Sequence, residues 1–262
     1  MTKVLFFDID GTLTDGHNGV PDIPKGAKEM MHKLQKQGHL LFIATGRPYA
    51  FIPKELTEFG FDGMILANGA HVELNGKFIY HQPTELDKTK KLIAHLENQN
   101  YEYIIETSRG AYLNPKYQVL KDFFISCNIN EKYLIDDFEV AKVLPDCLKI
   151  EVSVPFDKQK EVEEMIKDEF RYDKHGTENA FEIYSNVISK ATGIKKVLEY
   201  LNLEVEDSYG FGDGLNDMEM IQMVGTGVAM GNAVDELKAI SDLVSDTIQN
   251  NGLEKALVKL FG

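Results

Sequence analysis

Val4–Phe7 is a short apolar run with no period-2 alternation, the pattern of a strand covered on both faces in a parallel sheet. Residues 24–37 then set Ala27, Met30, Met31 and Leu34 among charges, the spacing of an amphipathic helix that Gly38 closes. Leu40–Ala44 and residues 64–67 repeat the buried-strand pattern. Each of these runs stops at polar residues: Asp8 after the first, Thr45-Gly46-Arg47 after the second, Asn68-Gly69-Ala70 after the third.

From about Gln82 the pattern changes. Residues 84–99, 117–126 and 158–169 read as helices. Residues 101–107 and Ala111–Leu113 read as alternating strands of a hairpin around Ser108-Arg109-Gly110. Residues 148–154 read as a strand with Lys149, Glu151 and Ser153 turned outward, and 171–175 with 181–184 as a last strand pair. Mixed helices and antiparallel strands over roughly a hundred residues make a domain-sized α+β insertion. After it, Val187-Ile188-Ser189-Lys190-Ala191 opens a helix through Leu201. The expected architecture is α/β: a doubly wound parallel-sheet core of residues 1–82 and 186–262, interrupted by an α+β domain of residues 83–185.

Composition narrows the partners. The 262 residues are 43% hydrophobic, ample for a core, and carry a formal charge of −14. That charge argues against nucleic acid, whose affinity comes mostly from Lys and Arg on phosphates. A phosphorylated small molecule needs a local pocket of cation, Lys or Arg to reverse the sign. Cys127 and Cys147 belong to no CxxC or Cys/His cluster, so free thiols in a reducing cytosol are expected rather than zinc or disulfides. With no signal-peptide core and no stretch near the ~18 apolar residues of a membrane span, the expected location is cytoplasmic.

The chemistry gathers where the apolar runs end. Asp8 and Asp10 are two apart, so a strand continuing to Asp10 would point both carboxylates to one side. Such a pair suggests a metal, an acid and base pair, or both. Gly11 permits a sharp turn, and Thr12 adds a hydroxyl to the same space. A plain Asp-Gly turn is the alternative. A calcium loop fails, since its sixth and twelfth positions hold Leu13 and Gly19. Parallel strands joined by a helix would bring Asp8 and Thr45 to one sheet edge, where Thr45 could hold a phosphate oxygen. In Ser208-Tyr209-Gly210-Phe211-Gly212-Asp213-Gly214-Leu215-Asn216-Asp217, a dinucleotide GxGxxG fails at Leu215, and no GxxxxGK[ST] loop exists.

Asp8-Ile9-Asp10-Gly11-Thr12-Leu13 resembles motif one, DxDGT[LV], of the haloacid dehalogenase-like (HAD) phosphohydrolases. Ala44-Thr45-Gly46-Arg47 resembles their second motif in its Cof-like, type IIB form, Lys190 stands where the third has its lysine, and Gly212 to Asp217 match the fourth, GDGxND. Asn68-Gly69 and Val228-Ala229-Met230-Gly231-Asn232-Ala233 add further resemblance, the latter as a fold marker.

The resemblance implies a Rossmann-like HAD core with a type IIB cap and a Mg²⁺-dependent phosphatase of small phosphorylated metabolites, with no nucleic acid or membrane partner. Asp8 would be the nucleophile, forming an aspartyl-phosphate, and Asp10 the acid and base. Asp10 must then carry a proton when substrate arrives, while Asp8 stays ionised on the metal. Lys190 would offset phosphoryl charge. Thr12, Thr45, Gly46, Arg47, Asn68 and Asn216 would hold phosphate or substrate. Asp8, Asp10 through its backbone carbonyl, Asp213 and Asp217 would form the metal site. Transfer to a sugar hydroxyl, as in a phosphotransferase or phosphomutase, is the rival within the superfamily, and a non-catalytic Mg²⁺ and phosphometabolite-binding regulator the rival outside it. Substrate choice falls to the cap, with Glu106, Arg109 and Tyr184 as candidate lining residues. These motifs name neither the substrate nor the oligomeric state.

Overall fold

The computed structural model describes residues 2–126, 129, 133–174 and 179–262. The expected strand pair at 171–175 therefore reaches past the described residues at His175, and Cys127 lies outside them.

The chain runs β1 (Val4–Phe7), α1 (Lys25–Lys36), β2 (Leu40–Ala44), α2 (Lys54–Phe59), β3 (Gly63–Leu66), β4 (His71–Leu74) and β5 (Lys77–His81). There follow α3 (Leu86–Asn98), β6 (Glu102–Thr107), β7 (Ala111–Leu113), α4 (Val119–Ser126), β8 (Leu134–Ile135), α5 (Val140–Val143), β9 (Cys147–Ser153), α6 (Phe156–Ile166), β10 (Phe170–Lys174) and β11 (Ala180–Ser185). The last part is α7 (Lys190–Leu201), β12 (Ser208–Gly212), α8 (Met218–Met223), β13 (Thr226–Ala229), α9 (Asp235–Ile240), β14 (Leu243–Val244) and α10 (Gly252–Phe261). Two compact units result: residues 1–46, 52–81 and 188–262 form one, residues 47–51 and 82–187 the other.

The first unit holds a sheet ordered β14-β13-β12-β1-β2-β3-β4-β5. From β14 to β3 neighbours pair in parallel, and β1 lies between β12 and β2. Successive side chains of β1 feed two separate cores. Leu5 and Phe7 join Leu41, Ile43 and the inner face of α1, while Val4 and Phe6 join Phe42, Ala44 and the buried side of α7. All four are fully buried, which is why the run shows no alternation. On α1 the buried residues are Ala27, Met30, Met31 and Leu34, and Gly38 follows the helix at φ 85°. The β4–β5 hairpin makes one end of the sheet antiparallel. Its strands pair through the Asn75-Gly76 turn, both residues at positive φ.

The second unit has a mixed sheet ordered β10-β11-β9-β6-β7-β8. One face packs α3 and α6 through Leu92, Ile93, Leu96, Val162 and Ile166. The other face corrects the sequence reading. Lys149 and Glu151 do not turn outward to solvent but are 5% and 2% exposed, because this face is covered too, in part by α4 and Phe51. Lys149 Nζ lies 2.5 Å from Glu182 Oε2 and 3.1 Å from Glu106 Oε2. Burial drives the Glu106 carboxyl up to about 7, and Lys149 only partly opposes it, since Glu151 and Glu182 add like charge. Burial disfavours the Lys149 ammonium, but Glu106, Glu182 and Glu151 outweigh that and hold its pKa above the ordinary lysine value. Tyr184 donates its hydroxyl to Asp173 at 2.7 Å. Glu106 and Tyr184 are thus engaged within the second unit, while Arg109 sits exposed in the 108–110 turn.

Two stability outcomes follow from this network. Lys149→Met removes the ammonium that faces the fully buried Glu106 and should cost about 3–5 kcal/mol in denaturant unfolding. Glu106 has a folded pKa raised from the ordinary 4.5 to about 7, so its protonated form stabilises the fold below 4.5 and that contribution is lost as pH rises through 7. Wild type should therefore lose on the order of 3 kcal/mol relative to Glu106→Gln across that window. A pH-independent difference between the two proteins would refute it.

Candidate active site

β1, β2, β3 and β12 end side by side in the parallel sheet, and their carboxyl ends carry the polar residues. Asp8 follows β1 directly and is 6% exposed, its backbone N–H donating to the Phe211 carbonyl at 2.9 Å. The strand stops at Phe7, so Asp10 does not continue it as the spacing allowed. Asp10 instead bridges to Thr14 in a turn and is exposed. The turn needs Gly11 at φ 86°, and a Cβ there would collide with Asp213 Oδ2. Thr12 is fully buried, with its hydroxyl 3.4 Å from Asp213 Oδ1.

Lys190 arrives from α7. Ser189 caps that helix by accepting from the Thr192 N–H, and Gly69, at φ 99°, lies where a side chain would strike the Ser189 carbonyl. This close approach seats the start of α7 against the loop after β3. Lys190 is 1% exposed and donates to Asp8 Oδ1 at 2.5 Å and Asp217 Oδ1 at 2.7 Å. Asp217 is fully buried, and its other oxygen accepts from the Asp213 and Gly214 N–H groups at 2.9 and 3.0 Å. It thus holds both the lysine and the backbone of the 212–217 loop.

Thr45, also buried, links β2 and β3: its N–H donates to the Ile65 carbonyl at 2.9 Å and its carbonyl accepts from Asn68 at 3.0 Å. Asn68 is buried at φ 53°, and its side-chain oxygen accepts from Asn216 at 3.4 Å. Gly46 packs beside that side-chain oxygen. Arg47 donates to the Phe51 carbonyl at 2.9 Å within the 47–51 segment, which groups with the second unit.

A model of the haloacid dehalogenase-like hydrolase family matches residues 5–257. The chain belongs to that family. Over 267 residues it is 33% identical to the putative phosphatase YkrA of Bacillus subtilis, covering 99% of this chain and 98% of the other. It is 26% identical to the B. subtilis 5-amino-6-(5-phospho-D-ribitylamino)uracil phosphatase YitU, covering 98% and 97% of the two chains. Among solved structures, the HAD subclass IIB sugar phosphatase BT4131 superposes with a TM-score of 0.84 at 27% identity and 99% coverage of both chains. The resemblance to the Cof-like, type IIB branch and the expected α/β fold with its inserted second sheet are met, and the enzyme class is that of a HAD phosphatase.

In this HAD site one oxygen from each of Asp8, Asp213 and Asp217 falls within 4.8 Å of the others. Burial pushes the Asp8 carboxyl well above the usual range. Lys190 opposes this, but Asp217, Asp213 and Asp10 add to it. Asp213 is likewise pushed up to about 7, by burial first and Asp217 second. Lys190, disfavoured by burial, is nonetheless raised by Asp217 and Asp8. The site therefore gathers more negative charge than Lys190 balances, and hard carboxylate oxygens this close suit a divalent cation. Asp10 contributes no side-chain oxygen to that cluster. Asn232, read from sequence only as part of a turn, donates to the Gly11 carbonyl at 2.8 Å. Its one sequence signal is a polar amide just beyond the carboxyl end of β13.

Gly11→Ala should lose about 1–2 kcal/mol from the left-handed backbone alone. Its new methyl group must also displace the Asp213 carboxylate, so divalent cation binding should weaken beyond what the stability loss explains. Titration calorimetry beside thermal melting checks both, and cation affinity equal to wild type would contradict the second.

Proposed function

We propose that the protein is a Mg²⁺-dependent phosphatase of small phosphorylated metabolites, sugar phosphates or similar monoesters, acting through an aspartyl-phosphate on Asp8. The observation that carries this reading is the buried Asp8 carboxylate at the end of β1, with Lys190 at 2.5 Å and Asp213 and Asp217 beside it. The sugar phosphatase BT4131 and the ribitylaminouracil phosphatase YitU support the substrate class.

An Asp8 oxygen attacks phosphorus, the new O–P bond forms, and the ester P–O bond breaks. Asp10, exposed on its turn, gives its proton to the leaving oxygen and later takes one from the attacking water. That water's oxygen bonds to phosphorus, the Asp8 O–P bond breaks, and inorganic phosphate leaves. Lys190 offsets charge on the phosphoryl oxygens and on Asp8. Asp217 keeps Lys190 charged and in place. Thr12, Thr45, Gly46, Asn68 and Asn216 line the phosphate side, and Arg47 contacts the substrate. Asp8, Asp213 and the Asp10 backbone carbonyl would hold Mg²⁺, with Asp217 supporting the loop. Bound there, the ion would neutralise charge on the carboxylates and the phosphoryl oxygens and keep Asp8 ionised.

Phosphate release from an aryl phosphate, without any acceptor alcohol, tests hydrolysis against transfer. Asp8→Asn should lower turnover at least about a thousandfold with melting behaviour intact. Near wild-type turnover would sink the covalent route. Metal dependence should carry a pH signature as well. With the Asp213 carboxyl at about 7 in the metal-free protein, binding Mg²⁺ must release its proton below that pH. Apparent Mg²⁺ affinity should then fall as pH drops below 7, approaching about tenfold per pH unit, with proton release visible in buffers of different ionisation enthalpy. Affinity constant from pH 5 to 7 would contradict it.

A further inference from the structure

We propose that Asn232 is a positioning residue for the cation site, its side-chain amide fastening the Gly11 turn to the Asp213 carboxylate. This rests on the reading that Asp8 and Asp213 hold Mg²⁺.

Asn232 follows β13 in a turn closed by the Ala233 N–H on the Met230 carbonyl and the Gly231 N–H on the Asp246 carbonyl, both at 2.9 Å. Its side-chain oxygen accepts from the Ile248 N–H at 3.0 Å. A backbone N–H only donates, so this contact decides which end of the amide is the oxygen. The Nδ2 group must then face the other way, where it meets the Gly11 carbonyl at 2.8 Å and Asp213 Oδ2 at 3.4 Å. The two acceptors are groups that a cation site needs held in register. Gly11 turns the chain directly after Asp10, and Asp213 Oδ2 occupies the space over Gly11 where a Cβ would sit.

Asp213 is gripped from several sides. Its Oδ1 receives the Thr12 hydroxyl, its Oδ2 receives Asn232, and its carbonyl accepts from Val234 at 3.0 Å. The same 230–234 turn therefore fixes both the main chain and the carboxylate of Asp213. Without the Asn232 amide, Oδ2 loses that donor and the Gly11 carbonyl loses its tie across 221 residues of sequence. The Asp213 carboxylate can then rotate within the site. Groups that orient a ligand in this manner are worth about 10–100-fold in metal affinity.

A merely structural role is separated by a neighbour. Ser245 donates to the Gly252 carbonyl at 2.5 Å, so Ser245→Ala loosens the adjoining loop without touching Gly11 or Asp213. Mg²⁺ is titrated calorimetrically into the full chain as wild type, Asn232→Ala and Ser245→Ala, with metal-free melting of each. Asn232→Ala should bind Mg²⁺ about 10–100-fold more weakly and need correspondingly more for half-maximal phosphate release, with a smaller change at saturating Mg²⁺. Ser245→Ala should keep wild-type affinity whatever its melting temperature. Wild-type affinity in Asn232→Ala, or an equal loss in Ser245→Ala, would overturn the assignment. If wild type itself binds no Mg²⁺, the reading of the carboxylate cluster fails and the role of Asn232 falls with it.

Discussion

The first unit is arranged around an electrostatic imbalance. Asp8 and Asp217 are buried against Lys190, with the half-buried Asp213 close by, so three carboxylates gather around that ammonium. A structure selected for stability alone would place apolar residues there, since buried charges rarely repay their desolvation. The excess negative charge makes sense as a standing demand for a cation and for a phosphoryl group brought with it. The sheet supports this demand by ending β1, β2, β3 and β12 at one edge, and by feeding the four side chains of β1 into two apolar cores. Asp8 is thereby anchored from behind by packing on both faces.

The second unit uses the same physics for a different end. Lys149 sits between Glu106 and Glu182, with Glu151 near, inside a covered sheet face. Here the raised pKa of Glu106 offers the chain an internal remedy, because a protonated carboxyl relieves the excess charge without any ligand. At the Asp8 site burial and neighbouring carboxylates raise the Asp8 and Asp213 carboxyls in the same way, and there the carboxylate oxygens also lie close enough together to suit a divalent cation. Two clusters of similar composition thus differ in that, among the described residues, only the one at Asp8 gathers three carboxylate oxygens closely enough to suit a metal ion.

Geometry at the site depends on backbone approaches that only particular residues permit. Gly11 leaves room for the Asp213 carboxylate, and Gly69 lets the start of α7 close on the loop after β3. Asp217 then divides its two oxygens between Lys190 and the backbone of its own loop. That division ties Lys190 to the backbone of the 212–217 loop.

Much of this was written locally. The continuous run at Val4–Phe7, the buried face of α1 and the polar stops after β1 and β2 reflect short-range rules: side chains alternate along strands, recur every 3.6 residues on helices, and turns require glycine. The four motifs, in order, sufficed for the family, and they single out Asp8, Lys190 and Asp213, which the fold brings together. Partners far apart in sequence were decided only by the tertiary structure. Asn232 meets Gly11 across 221 residues, and nothing in the neighbourhood of either residue signals the other. The outward reading of Lys149 and Glu151 failed for the same reason. Alternation along β9 says which side chains share a face, but whether that face meets water or a second layer depends on α4 and Phe51, which reach it only when the chain folds.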